Sequence, residues 1–323
     1  MQTDLGNHRT EYPVSGPRST EYFKQRPNLC HGGVVRFGEP TSMESPMRAN
    51  LLASLIVLAV VSLARPAAAQ RNNWDTDDSR WLDECRNGWN GNDDRGRACE
   101  VRNVPVRLSG RSIEIDGREN GGIHVDGWDG DSVRVTARIQ ANARDDAGAR
   151  DLLKDVVIKT DGRSISSDSP RSWGRNESVS VTYMVHVPRR FDLRLQAHNG
   201  GIGVSGVTGA MNLETTNGSV NLVEIGGDVR AHTQNGSLNV QLVGTKWDGR
   251  GLDAETQNGS VRMAIPSDYK AQIETGTVNG RMSTDFPVTL QGRIGRTLSL
   301  PLNGGGTPIR AMTTNGSVSL TRR

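Results

Sequence analysis

Three residues whose types could do chemistry recur at one place in a repeated pattern. Glu214, His232 and Glu255 each stand three residues before an Asn-Gly pair. If the repeats stack in register as neighbouring strands, these side chains form a line with steps of about 4.8 Å. A Glu-His-Glu line could hold a divalent metal or move protons. The competing reading is a solvated ladder on an outer strand face, where such pairs contribute little. We adopt that reading and assign no catalytic, metal or cofactor residue. The nearest other cluster is Asp248, Arg250 and Asp253, in and beside the insertion Gly244 to Gly251 (GTKWDGRG), which also carries Trp247. A tryptophan on a surface loop is a contact for a carbohydrate or a partner; buried, it covers the edge of a coil. Glu214, His232, Glu255 and Trp247 are therefore the candidate surface-binding residues. The chain has no G-x-S-x-G elbow, Walker A sequence or H-E-x-x-H.

What must position these residues is the repeat. After Pro188, Asn-Gly recurs at Asn199, Asn217, Asn235, Asn258, Asn279 and Asn315, with spacings of 18, 18, 23, 21 and 36. The last gap equals two units of 18, so a degenerate unit is expected on Asn303-Gly304. Columns appear when the units are aligned on each Asn. Four before it stand Leu195, Leu213, Ala231, Ala254, Thr275 and Ala311, and two before it Ala197, Thr215, Thr233, Thr256, Thr277 and Thr313. Three after it stand Ile202, Val220, Leu238, Val261, Met282 and Val318, and five after it Val204, Leu222, Val240, Met263, Thr284 and Leu320. Columns two residues apart share one face of a strand. Each unit thus reads as strand, Asn-Gly corner, strand. Asn-Gly tolerates positive φ and turns the chain sharply. Consecutive hairpins would give an antiparallel meander, whereas like residues stacked on like would give a β-solenoid. The recurrence of one residue type per column favours the solenoid, with Thr and Asn stacked inside a narrow coil.

The stretch HVPRRFDLRLQAHNGGIGVSGVTGAMNLETTNGSVNL, followed by AHTQNGSLNVQL, ETQNGSVRMAIP and MTTNGSVSL, resembles the bacterial putative-adhesin domain of unknown function, with its Val-Pro strand entry and repeated T-x-N-G-S-V units. The resemblance covers about Ile113 to Arg323 and is strongest over 185–323. It implies a β-solenoid on an exported protein and brings no catalytic residues.

Ahead of the repeats, Val104-x-Val106-x-Leu108, Ile113-x-Ile115, Ile123-x-Val125 and Val133-x-Val135 read as short strands, as do Val157–Thr160, Ser164–Ser166 and Ser178–Val187. The one helix expected is Asn142 to Val157, with Ala147, Leu152, Leu153, Val156 and Val157 as its buried stripe, and Pro170 to Asn176 is a polar loop. Residues 70–99 are polar and contain Trp74, Trp81 and Trp89. They read as a loop-rich cap or linker. Within them Asn90-x-Asn92-x-Asp94 departs from a calcium loop, since Arg95 replaces the glycine and Val101 the terminal Glu. Cys85 and Cys99, 14 apart, are expected to form one disulfide in an oxidising compartment. The expected fold class is thus all-β: a β-solenoid (single-stranded β-helix) with coils of about 18–23 residues, an N-terminal β-rich cap and one short helix.

Export is read from residues 47–69. A short basic start at Met47-Arg48 leads into the apolar run Leu51 to Ala64, then Arg65-Pro66 and the A-x-A site Ala67-Ala68-Ala69. This is the layout of a signal peptide, too short for a comfortable membrane span. Residues 1–46 read as an over-extended start or a disordered leader. The mature chain, 70–323, would hold 32 basic and 31 acidic residues, a balance that offers no basic footprint for nucleic acid. Its division is a polar cap over 70–99 and a solenoid domain over 100–323, regular from about 188. Aromatics are only 4% while glycines number 38, the balance of a thin core with many corners. The functional expectation is an exported, non-enzymatic structural or adhesion-type domain at the periplasm or cell surface, or secreted. It would bind an unknown envelope protein or glycan, use no cofactor and have no membrane span in the mature chain. A carbohydrate-active β-helix enzyme and an envelope sensor or scaffold are the alternatives.

Overall fold

The computed structural model describes residues 77–87, 95–107, 110–169, 174, 177–287 and 296–323, all within the compact unit Arg65–Arg323. The signal segment, the leader, Trp74, Trp89, the Asn90–Asp94 stretch, Leu108 and nearly all of the Pro170–Asn176 loop lie outside the described residues.

The first described elements are helix α1 (Asp78–Asn87) and strand β1 (Gly96–Val104), where the composition points to a loop-rich cap. Local propensity does not hold so short a helix. Its anchors are tertiary: the Cys85–Cys99 disulfide ties it to β1, and the buried Arg138 donates from Nε to Asp78 Oδ1 at 2.9 Å. Next come β2 (Ser112–Asp116), β3 (Ile123–Trp128), β4 (Arg134–Ala143), helix α2 (Asp146–Lys154), β5 (Val157–Thr160), β6 (Ser164–Asp168) and β7 (Ser178–Pro188). Helix α2 is shorter than Asn142 to Val157, because Asn142 pairs in β4 and Val157 opens β5. Asp145 caps it, accepting from Gly148 N at 2.8 Å. Its buried contact is Ala149, against Ala98 and Ala143; Ala147 and Val157 are exposed.

The repeats follow as strand pairs joined by Asn-Gly corners: β8 (Asp192–Ala197) with β9 (Ile202–Ser205), β10 (Thr208–Asn217) with β11 (Val220–Val223), and β12 (Gly226–Asn235) with β13 (Leu238–Gln241). Then come β14 (Gly251–Asn258) with β15 (Val261–Ile265), and β16 (Ala271–Asn279) with β17 (Met282–Thr284). The lone strand β18 (Thr297–Leu302) precedes the last pair, β19 (Pro308–Asn315) with β20 (Val318–Arg322). First strands go to sheet I, ordered β18-β16-β19-β14-β12-β10-β8-β2-β6-β5, and second strands to sheet II, ordered β1-β4-β7-β3-β9-β11-β13-β15-β20-β17. The coils pair in parallel, as in Leu213↔Ala231 and Leu222↔Val240. This is a β-solenoid, and the inward columns are those the sequence aligned.

Three ladders hold coil to coil. Inside, each column threonine donates to a corner glycine carbonyl of the neighbouring coil: Thr215 to Gly200, Thr233 to Gly218, Thr256 to Gly236 and Thr313 to Gly259 at 2.7 Å, and Thr277 to Gly316 at 2.8 Å. The buried hydroxyl and the carbonyl thus satisfy each other. At the corner, a Cβ on Gly218, Gly236 or Gly259 would lie 2.0 Å from the carbonyl oxygen of the glycine one coil away. Corner glycine is therefore demanded by backbone approach; these three lie outside the left-handed φ region, which corrects the expectation of a positive-φ turn. Outside, the exposed asparagines link amide to amide, Asn217 Nδ2 to Asn199 Oδ1 at 2.8 Å and Asn235 Nδ2 to Asn217 Oδ1 at 2.8 Å, continuing through Asn258, Asn315 and Asn279. Asparagine thus stacks on the rim, not in the interior.

Coil order departs from chain order. Asn303-Gly304 forms no coil corner. Its positive φ values turn β18, which runs antiparallel beside β16, into β19. The pair β19–β20 then enters between β14–β15 and β16–β17. Ile309, Ala311 and Thr313 face Leu252, Ala254 and Thr256 in register, so like residues meet best in that slot. At the other end β2–β3 is a further coil, with Asn120-Gly121 as its corner: Ile113 and Ile115 pair with Leu193 and Leu195, and Ile123 with Ile202. The shared N-G-G-I-x-V at Asn120 and Asn199 is its sequence signal. Beyond it β6–β7 adds one more coil. Strands β5, β4 and β1 then close that end with antiparallel pairing. Strand β1 starts earlier than expected and ends at Val104, leaving Val106 beyond it.

Candidate functional site

The outer face of sheet I carries the expected line. Glu214 pairs with His232 and His232 with Glu255, all three exposed. The carboxylates are engaged sideways instead of converging. Asn212 Nδ2 donates to Glu214 Oε1 at 2.9 Å, and Arg310 lies 3.6 Å from Glu255 while bonding Asp253 at 2.6 Å. Among the described residues no group of three or more His, Cys, Asp or Glu could hold a metal ion. The second cluster disperses as well: Arg250 pairs with Asp228 at 2.6 Å and Asp248 with Arg190 at 3.7 Å. Charges of both signs thus alternate over a solvated face.

Trp247 is corrected as a surface contact. It is 4% exposed, and its Nε1 donates to Gly227 O at 2.9 Å. Gly227 O also accepts from Arg250 N at 2.9 Å, and Gly227 N donates to Asp248 O at 2.6 Å. The insertion therefore folds back onto Gly227 and covers the coil edge.

The outer face of sheet II holds what the sequence reading missed. Four residues after each corner Asn, the outward column runs Gly203, Asn221, Asn239, Arg262, Ser319 and Ser283 across adjacent strands. Two residues further, Val223, Gln241, Ala264 and Thr321 form the next row. The small Ala264 between Gln241 and Thr321 leaves a shallow depression of about 310 Å³. Asn221, Asn239, Gln241, Arg262, Ser319 and Thr321 supply its polar lining. Asn239 Nδ2 donates to Asn221 Oδ1 at 2.7 Å, which fixes both amide planes. The signal in the sequence was the alternation after each corner, V-N-L, L-N-V, V-R-M and V-S-L, whose middle residue points outward.

Toward β3 the same outward column reaches His124, partly buried beside Gly203. Burial first, and the Arg138 charge second, hold its imidazole down to about 4. It is neutral at pH 7.

Residues 178–321, which contain the regular coils and both outer faces, match the family model Toastrack DUF4097. This part of the chain is similar to the Toastrack family. The matched segment takes in β7 through nearly all of β20, so the resemblance read from the repeats holds over the coils that carry it. Among solved structures, the chain is similar to a putative cell adhesion protein from Clostridium sporogenes ATCC 15579, with 9% identity over 70% of this chain and 100% of that one, and a TM-score of 0.40. It is also similar to a putative adhesin from Bacteroides fragilis NCTC 9343, with 10% identity over 70% and 97% of the two chains and a TM-score of 0.33. A putative lipid binding protein from Parabacteroides distasonis ATCC 8503 overlaps with 10% identity over 70% and 96%, and a TM-score of 0.30. No curated protein matches the chain. Among the described residues no helix is long and apolar enough to cross a membrane.

Proposed function

We propose that the solenoid domain is an exported, non-catalytic binding scaffold that presents the outer face of sheet II to a glycan or protein of the cell envelope. The observation that carries this reading is the ordered polar array around the depression. In-register stacking places amide, guanidinium and hydroxyl groups on consecutive strands at a pitch of about 4.8 Å. Because every interior strand is already paired, the backbone is used up and recognition falls to these side chains. On sheet I, Glu214, Asp228, Asp253 and Glu255 serve side-chain pairs, which supports a scaffold over a hydrolase. The Cys85–Cys99 bridge supports an oxidising compartment, in line with a signal peptide over 47–69, a polar cap over 70–99 and a solenoid domain over 100–323.

The test is co-sedimentation of the purified chain with isolated bacterial envelopes. Binding is expected, and Asn239→Ala with Arg262→Ala together are expected to reduce it at least tenfold while the chain still unfolds in one cooperative transition, lowered only by loss of the Asn239–Asn221 bond. Absence of envelope binding, or binding indifferent to these substitutions, would overturn the reading.

A further inference from the structure

The lining of the sheet II depression has a chemical character of its own. Its single charge is the exposed Arg262, and none of the lining residues is acidic. Among the described residues Arg262 has no ion pair, although its neighbours in register, Asn239 and Ser319, are both polar. A guanidinium presents planar paired donors matched to a carboxylate. Beside it, the Asn221–Asn239 pair spends one donor and one acceptor on itself. The Asn221 Nδ2 and Asn239 Oδ1 have no partner among the described residues. An NH₂ donor and a carbonyl acceptor, held on neighbouring strands, are the complement of adjacent hydroxyl groups.

From Asn221 through Asn239 and Arg262 to Ser319 the array crosses four strands, roughly 14 Å at the parallel-strand pitch. That is a stretch for a short run of sugar rings. A peptide is a poorer fit: extended peptides gain affinity from main-chain pairing at a sheet edge, and this site lies on a face.

We infer that the depression on sheet II binds a carboxylate-bearing polysaccharide, with Arg262 on the uronate carboxylate and Asn221, Asn239 and Gln241 on ring hydroxyls. This deepens the envelope-binding reading above and rests on it. Recognition is by charge and hydrogen bonds, so affinity falls as salt rises.

The experiment is calorimetric titration of the purified chain with polygalacturonate, alginate and hyaluronan, and with fully methyl-esterified polygalacturonate, which keeps the polyol and loses the charge. Binding to at least one acidic polymer is expected. Arg262→Ala, and esterification where polygalacturonate is the ligand, should each weaken it at least tenfold, and Arg262→Lys should restore part of the loss. Unchanged affinity in Arg262→Ala, equal binding of the ester, or binding of none of the acidic polymers overturns the inference. The two readings fail separately. If no acidic polymer binds but envelopes still capture the chain in an Asn239- and Arg262-dependent manner, only the ligand class falls. If envelope capture ignores those residues, the face itself is wrong.

Discussion

Thr233 donates its hydroxyl to the carbonyl oxygen of Gly218, one coil away, at 2.7 Å. Thr233 is fully buried, and the same bond recurs at Thr215, Thr256 and Thr313. Thr233→Val keeps the shape and removes the donor. It should destabilise by about 1–3 kcal/mol, the cost of stranding a buried carbonyl. Thr233→Ser should lose less. Urea denaturation of the two variants checks this, and a Val variant as stable as the parent would remove the threonine ladder from the account.

Gly236 approaches Gly218 so closely that an added Cβ would sit 2.0 Å from its carbonyl oxygen. Backbone cannot yield as a side-chain tip does. Gly236→Ala should therefore cost more than about 3 kcal/mol, above the usual range for single substitutions, or prevent folding altogether. Asn235→Ala, next to it on the exposed rim, loses only side-chain amide bonds and should cost about 1 kcal/mol. Thermal unfolding of both variants gives the ranking.

The disulfide between Cys85 and Cys99 closes a short loop. Its removal by Cys99→Ser should cost about 3 kcal/mol, felt first at the terminal cap. Hydrogen exchange should show α1 losing protection while β8 to β15 keep theirs, since the coils carry their own pairing.

His124 makes stability pH-dependent. Its imidazole is held down to about 4 from 6.5, so the unfolded chain binds the extra proton first on acidification. Stability contributed by the neutral ring is present above pH 6.5 and is lost as pH falls towards 4, by up to about 3 kcal/mol. His124→Gln should flatten the dependence of unfolding free energy between pH 7 and pH 4.5. An equally steep profile in the variant would locate the effect elsewhere.

The coils were legible in the sequence for a physical reason. Parallel in-register stacking puts the same environment at the same place in each unit, so Leu195, Leu213, Ala231 and Ala254 fall in one column. The order of the coils was less legible. Spacing counts residues along the chain, and the 36-residue gap to Asn315 fitted an extra coil on Asn303-Gly304 as well as it fitted an antiparallel strand and a return. Helix α1 escaped because its run is polar and its partner Arg138 lies 60 residues away in sequence. Trp247 drew attention as an aromatic residue in a loop, yet burial depends on what a loop folds against, here Gly227. The sheet II array was missed because Asn239 and Arg262 differ in type along their column, whereas Glu214, His232 and Glu255 look like chemistry at first sight.

Which outer face does the binding is the question that reaches the centre of this account. The measurement is envelope co-sedimentation of two double variants of the same chain. One carries Asn239→Ala and Arg262→Ala on sheet II, and the other Glu214→Ala and Glu255→Ala on sheet I, each checked to be folded by a cooperative thermal transition. The account predicts at least tenfold weaker binding for the sheet II variant and parental binding for the sheet I variant. Loss confined to the sheet I variant would contradict it.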